Sequence, residues 1–262
     1  MNYQLKQRFG RVAMVTGASS GIGKAFAETL ARENMDLVIV ARRQQALQTL
    51  ADRLQTEYCV RVYCITQDLT EVDAADRLAA KLDQLNLKID LLINNAGVGT
   101  HGRFTELDLT KEQAMIQLNC QLPVALVHKL LPAMLAQKRG GIVMLASVAG
   151  QMPVPYMASY SASKAFVRIF SEGLWGELRG TGVHIVSVSP GDTTTEFRQT
   201  ADLNNTFPIP PRMAQDVVHT SFKALSRKTS VVDGVLNKLT AWWASWAPRK
   251  LLILMNAKLW RA

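Results

Sequence analysis

Six short apolar runs punctuate the chain at nearly regular intervals: RVAMVTG at 11–17, DLVIVAR at 36–42, VRVYCITQD at 60–68, IDLLINNAG at 89–97, GIVMLAS at 141–147 and VHIVSVSP at 183–190. Most are nearly continuous in Val, Ile and Leu. That pattern predicts strands covered on both faces, as in a parallel sheet, rather than strands with one wet face. Between them the apolar residues recur at helical spacing, as in GKAFAETLAREN at 23–34 and EQAMIQLNCQLPVALVHKLLPAMLAQ at 112–137. A further helix is predicted from about Met157 to Arg179, stopped by Gly180 or Gly182. Strand–helix alternation of this kind predicts a single-domain α/β fold, a doubly wound parallel sheet of Rossmann type in three α/β/α layers. Ligands of such sheets bind beyond the carboxyl ends of the strands.

Composition agrees with a folded core: 48% of the 262 residues are hydrophobic, which excludes a disordered chain. The three cysteines, Cys59, Cys64 and Cys120, lack CxxC spacing. They indicate neither a disulfide framework nor a zinc site, and they suit a reducing, cytoplasmic setting. The basic N-terminus is not followed by a signal-like apolar stretch, and no run of eighteen apolar residues predicts a membrane span. A net charge of +9 is compatible with nucleic acid, anionic lipid or a phosphorylated cofactor. No zinc-finger spacing or basic–aromatic RNA-binding pattern accompanies it, so nucleic acid is not expected. His101, His128, His184 and His219 are scattered without ligand spacing, and no metal is implied.

The first strand runs into TGASSGIG, Thr16 to Gly23, and then a helix. Gly17, Gly21 and Gly23 permit a tight turn, close backbone approach to a pyrophosphate and close helix–strand packing. The helix N-terminus adds free N–H groups. The G-x-x-x-G-x-G spacing matches neither the common dinucleotide fingerprint nor the P-loop. The second strand ends in Ala41-Arg42-Arg43, where an acidic residue would suit a ribose hydroxyl and an arginine suits a 2′-phosphate. NADP is therefore expected over NAD, with Arg42 the leading contact and Arg43 second. In YSASK, residues 160–164, Tyr160 and Lys164 stand one helical turn apart. An ammonium beside a phenol is expected to lower the phenol's pKa.

TGASSGIG, NNAG at 94–97, Ser147, YSASK and PG at 190–191 occur in an order and spacing that resemble the single-domain short-chain dehydrogenase/reductase family, over about residues 9–200. The resemblance implies hydride transfer between NADP(H) and a carbonyl or secondary alcohol of a small molecule. By it Tyr160 is the acid/base, Lys164 tunes Tyr160 and holds the ribose, Ser147 positions the substrate oxygen and Asn119 supports a proton path. Its cofactor contacts would be Gly17, Ser19, Ser20, Gly21, Ile22, Gly23, Arg42, Arg43, Asp68, Leu69, Asn94, Asn95, Ala96, Gly97, Tyr160, Lys164, Pro190, Gly191, Thr193 and Thr195. A homodimer or homotetramer is the family's habit. A non-catalytic NADP-binding scaffold or sensor is the reading least compatible with the intact Asn119, Ser147, Tyr160 and Lys164 set.

The sequence divides into a catalytic domain over 1–233, with a substrate lid near 193–212, and an extension over 234–262. Met152, Met157 and Phe197 are candidates for an apolar pocket wall. From Gly234 onward there are five basic residues, no acidic ones and four of the five tryptophans. Such a segment fits packing over the pocket, self-association, or peripheral contact with an anionic membrane through 240–262. The last would make the protein a membrane-associated reductase of lipid, ketoacyl or steroid-like substrates.

Overall fold

The computed structural model describes residues 3–201 and 209–261. Residues 202–208 of the expected lid lie outside the described residues. Among the described residues the strands are β1 (Val12–Thr16), β2 (Asp36–Ala41), β3 (Val62–Thr66), β4 (Leu91–Asn94), β5 (Gly140–Leu145), β6 (Val183–Ser189) and β7 (Ser230–Val232). They form one parallel sheet in the order β3-β2-β1-β4-β5-β6-β7. The six sequence-predicted strands are all present. β7, three residues long, is an addition that its short SVV run could not announce against the rest of the chain.

The helices are α1 (Leu5–Phe9), α2 (Gly21–Arg32), α3 (Gln44–Tyr58), α4 (Ala74–Gln84), α5 (Leu109–Ile116), α6 (Leu122–Ala136), α7 (Ala158–Glu177), α8 (Phe197–Thr200), α9 (Ala214–Ala224), α10 (Val235–Trp246) and α11 (Arg249–Leu259). Alternate residues of each central strand feed two cores. Ala13 and Val15 of β1 join Phe26, Leu30 and Phe222 on one face, and Met14 joins Leu78, Leu122 and Leu126 on the other. Strands buried on both faces explain the unbroken apolar runs. α5 and α6 are joined by a π-helical turn at Gln117–Gln121. The whole segment Leu109–Ala136 is long and apolar enough to span a bilayer by length and composition, but Leu118, Leu122, Leu126, Val127 and Met134 are spent on the core beside the sheet.

The strand order reverses between β1 and β4, which opens a crevice at their carboxyl ends. The TGASSGIG turn leaves β1 there, and Asn95–Gly97 leaves β4 beside it. The topology thus brings together segments that are eighty residues apart in sequence.

Candidate active site

A cleft of about 610 Å³ runs along this edge, from the glycine turn through the ends of β4 and β5 to α7 and the C-terminal arm. At one end it is walled by Gly17, Ser19, Ser20, Gly21 and Ile22, with Arg42, Arg43, Asp68 and Leu69 at the lip. Ser20 caps α2 without using its side chain, and no acidic residue occupies the first turn. The helix N-terminus therefore offers its N–H groups to an anion. Gly23 is not in the wall. A Cβ there would stand 2.2 Å from the Gly17 carbonyl oxygen, so this glycine lets α2 pack against the turn. Asn95 ties the turn to β4, donating to the carbonyls of Thr16 at 2.8 Å and Gly17 at 3.3 Å. Asn94, the neighbour on the strand's other face, is buried away from the cleft.

Ser147, Tyr160 and Lys164 meet at the cleft's middle. Ser147 follows β5, and its hydroxyl accepts from the Ala149 N–H at 3.2 Å, which fixes the turn that aims it. Lys164 is buried and donates to the Leu145 carbonyl at 3.0 Å. Asn119 lies behind the wall, clamping Val98 by accepting from its N–H at 3.1 Å and donating to its carbonyl at 2.9 Å. Its amide also donates to Ser163 Oγ at 3.0 Å. A Cβ on Gly97 would stand 3.0 Å from Lys164 Nζ and 3.1 Å from Asn119 Oδ1. A larger residue there would press on both polar groups.

The acidity of Tyr160 departs from the sequence-based expectation. Burial pushes its pKa up to about 12, and a hydrogen bond with Ser147 only partly opposes this. Lys164 is likewise driven toward its neutral form, to about 8, by burial. Desolvation outweighs the attraction that the i,i+4 spacing suggested, because low surrounding polarity disfavours both ionised forms. The ammonium lies 5.9 Å from the centre of the phenol ring. At neutral pH Tyr160 is a proton donor.

Pro190, Gly191, Thr193 and Thr195 follow β6 and line the next part of the cleft. The far end is apolar: Met115, Val154, Met157 and Tyr160 form a small buried cluster, with Met152, Phe197 and Trp260 packed on it. Phe197 leans over Tyr160 with ring centres 5.4 Å apart.

The sequence reading left the arm's place open, and here it contributes Asn237, Thr240, Asn256, Leu259 and Trp260 to the wall. Two backbone contacts pin it: Asn256 donates to the Pro153 carbonyl at 3.0 Å, and His101 Nε2 lies 2.9 Å from the Trp260 carbonyl. His101 therefore anchors the end of the arm. Apart from Trp260, one of the tail's tryptophans, no local signal marked these residues, since only tertiary docking brings them to the site.

The family model for short chain dehydrogenases matches residues 11–206. With the sheet order and the cleft above, this establishes that the chain belongs to the short-chain dehydrogenase family of oxidoreductases. A very-long-chain 3-oxoacyl-CoA reductase of Danio rerio is 31% identical over 255 residues, 96% of this chain and 80% of the fish protein. A short-chain dehydrogenase from Sphingobium yanoikuyae solved with NADPH is 32% identical, with a TM-score of 0.80, covering 90% of this chain and 93% of that one. A structure from work on 7β-hydroxysteroid dehydrogenase stereoselectivity is 26% identical with a TM-score of 0.87, covering 98% of this chain and all of the other.

Proposed function

We propose that this oxidoreductase uses NADP(H) to interconvert a carbonyl and a secondary alcohol on an apolar substrate, with reduction as the favoured direction. The observation that carries the proposal is a neutral, buried Tyr160 phenol beside Ser147, in a cleft that joins an anion-accepting helix end to an apolar chamber. The helix end of α2 suits a pyrophosphate, Asp68 and Leu69 suit an adenine, and Pro190, Gly191, Thr193 and Thr195 suit the nicotinamide end. NADPH, when bound, supplies the hydride.

The chain's residues do the rest. Tyr160 gives its proton to the substrate oxygen, and Ser147 hydrogen-bonds that oxygen and sets its distance from Tyr160. Lys164, held by the Leu145 carbonyl, presents an ammonium to the developing phenolate. Asn119, by clamping Val98 and Ser163, keeps the polar floor behind Lys164 in register. The chamber of Met152, Met157, Phe197 and Trp260 holds apolar substrate and keeps water from the reacting oxygen.

The 2′-phosphate is better matched to Arg43 than to Arg42. Arg43 presents Nε and Nη2 together toward Ser19 Oγ, each at 3.2 Å. Arg42 turns toward Asp68, at 4.0 Å. The test is NADPH and NADH titration of wild type, Arg42→Ala and Arg43→Ala, followed by NADPH-linked reduction of ketones of rising bulk. Selective loss of NADPH affinity in Arg43→Ala supports the assignment. Equal affinity of the wild type for both cofactors would sink it, and so would failure to reduce any bulky ketone.

A second reading concerns the arm. Val235, Leu239, Trp242 and Trp246 fall on one stripe of α10, all exposed, and Leu251, Leu254 and Met255 are exposed on α11. Lys238, Arg249, Lys250, Lys258 and Arg261 stand exposed among them with no acidic residue in the segment. Two copies of such a surface would set like charges against each other, whereas an anionic bilayer complements it. This supports peripheral membrane contact through 240–262, with homo-oligomer contacts left to faces such as Phe166 and Ile169 of α7. Co-sedimentation with phosphatidylglycerol vesicles, weakened by salt and by Trp242→Glu, is the expected result. A dimer that the same substitution dissociates, without vesicle binding, would assign the stripe to a second copy.

A further inference from the structure

Glu196 follows Thr195 and immediately precedes α8. Its carboxylate Oε2 lies 2.9 Å from Arg43 Nη1. Arg43 belongs to the opposite lip of the cleft, just beyond β2, where its other two nitrogens already face Ser19. Each nitrogen of the guanidinium thus meets an oxygen, a hydroxyl on one side and a carboxylate on the other. Both Arg43 and Glu196 line the cleft, so the ion pair spans its mouth. The side chains are 50% and 52% exposed, which makes the pair weak and readily exchanged for a better anion.

We propose that Glu196 is a specificity-determining residue that competes with the cofactor's 2′-phosphate for Arg43. The inference rests on the NADP reading above. A phosphate carries more charge than a carboxylate and matches the guanidinium fork in two-point geometry. Its arrival at Arg43 and Ser19 repels Glu196 from the lip. A cofactor without that phosphate leaves the pair intact. Glu196 thus lowers affinity for every 2′-phosphorylated nucleotide by a fixed factor and leaves the others untouched. The same turn carries Thr195 at the cleft wall and Phe197 over the Tyr160 ring. Glu196 is thus the chain neighbour of the residue that forms the aromatic wall of the reacting end.

Calorimetric titration with two fragments tests this without turnover: adenosine 2′,5′-bisphosphate, and adenosine 5′-monophosphate as the phosphate-free control. Wild type, Glu196→Gln, Arg43→Ala and the double variant complete a cycle, with circular dichroism as the check on folding. Glu196→Gln should tighten the bisphosphate about two- to fivefold at low salt, the range expected of an exposed pair, and less at high salt. Monophosphate binding should not change, and the gain should vanish when Arg43 is already alanine. An equal effect on both fragments, no effect on either, or a gain that survives in the Arg43→Ala background would overturn the proposal. If the wild type itself fails to prefer the bisphosphate, the NADP reading falls first, so the two failures are separable.

Discussion

Lys164→Met should make the protein more stable at neutral pH while abolishing its activity. The ammonium is buried, and its pKa falls from 10.5 to about 8, a disfavour of about 3 kcal/mol for the charged form at about 1.4 kcal/mol per tenfold. Methionine fills a similar volume without that cost but forfeits the bond to the Leu145 carbonyl, a loss of about 1 kcal/mol. The net gain at pH 7 is about 2 kcal/mol, or roughly 4–8 °C in melting temperature for a chain this long. The sign with pH follows from proton counts. Between pH 8 and 10.5 the unfolded lysine holds its proton and the folded one releases it, so wild-type stability rises with pH through that window. By about pH 9.5 the wild type should recover about 2 kcal/mol and the two proteins should unfold together. Urea unfolding of both proteins at the two pH values measures this directly. A variant less stable than wild type at pH 7, or a difference that does not shrink on raising the pH, would refute a buried, strained ammonium at this position.

Tyr160→Phe should lower turnover by about 10²–10⁴-fold while NADPH binding, read by fluorescence, stays within a few-fold of wild type; retained turnover would remove Tyr160 from the chemistry. Asn119→Ala strips Val98 of both backbone partners and Ser163 of a third, so thermal unfolding should report a loss of about 2–4 kcal/mol. A change under about 1 kcal/mol there would mean that Val98 is held by other groups. Gly23→Ala drives a methyl into the Gly17 carbonyl and should cost about 1–3 kcal/mol of stability together with weaker NADPH binding. Unaltered melting would show that α2 shifts to absorb it.

The sheet was legible because its strands are buried on both faces, and burial of that kind leaves continuous apolar runs in the sequence. The glycine turn and the Ser147, Tyr160 and Lys164 positions were legible because each sits at the end of such a run or on one helical face. What could not be read was environment. Spacing placed Lys164 beside Tyr160, but the sign of the phenol's shift depends on how dry the pocket is, and that is set by Met157, Phe197 and Trp260 arriving from three separate segments. The sequence favoured Arg42 over Arg43, and could not show that Ser19 and Glu196 face Arg43 while Asp68 faces Arg42. The arm declared itself by its tryptophans and missing acids, yet its docking depends on His101 and Pro153, which carry no local mark.

The apolar end of the cleft is consequently a tertiary construction, and one ion pair, buried on its acidic side, gathers its parts. Asp233, fully buried at the root of the arm, accepts from Arg212 Nε at 2.6 Å and from the Thr220 hydroxyl at 2.6 Å. Arg212 closes the far side of the 193–212 segment, where its backbone accepts from Thr194 N–H and donates to the Asp192 carbonyl, both at 2.9 Å. Asn237, one turn into α10, donates to the Asp233 carbonyl at 2.8 Å and lies against Gly191. The loop after β6, the return of the 193–212 segment and the start of the arm are therefore knotted at one point. A carboxylate buried this deeply is tolerable only while its cation and hydroxyl remain in place. The knot fixes where the 193–212 segment and the arm begin, while Phe197 and Trp260, farther along each, pack at the apolar end of the cleft.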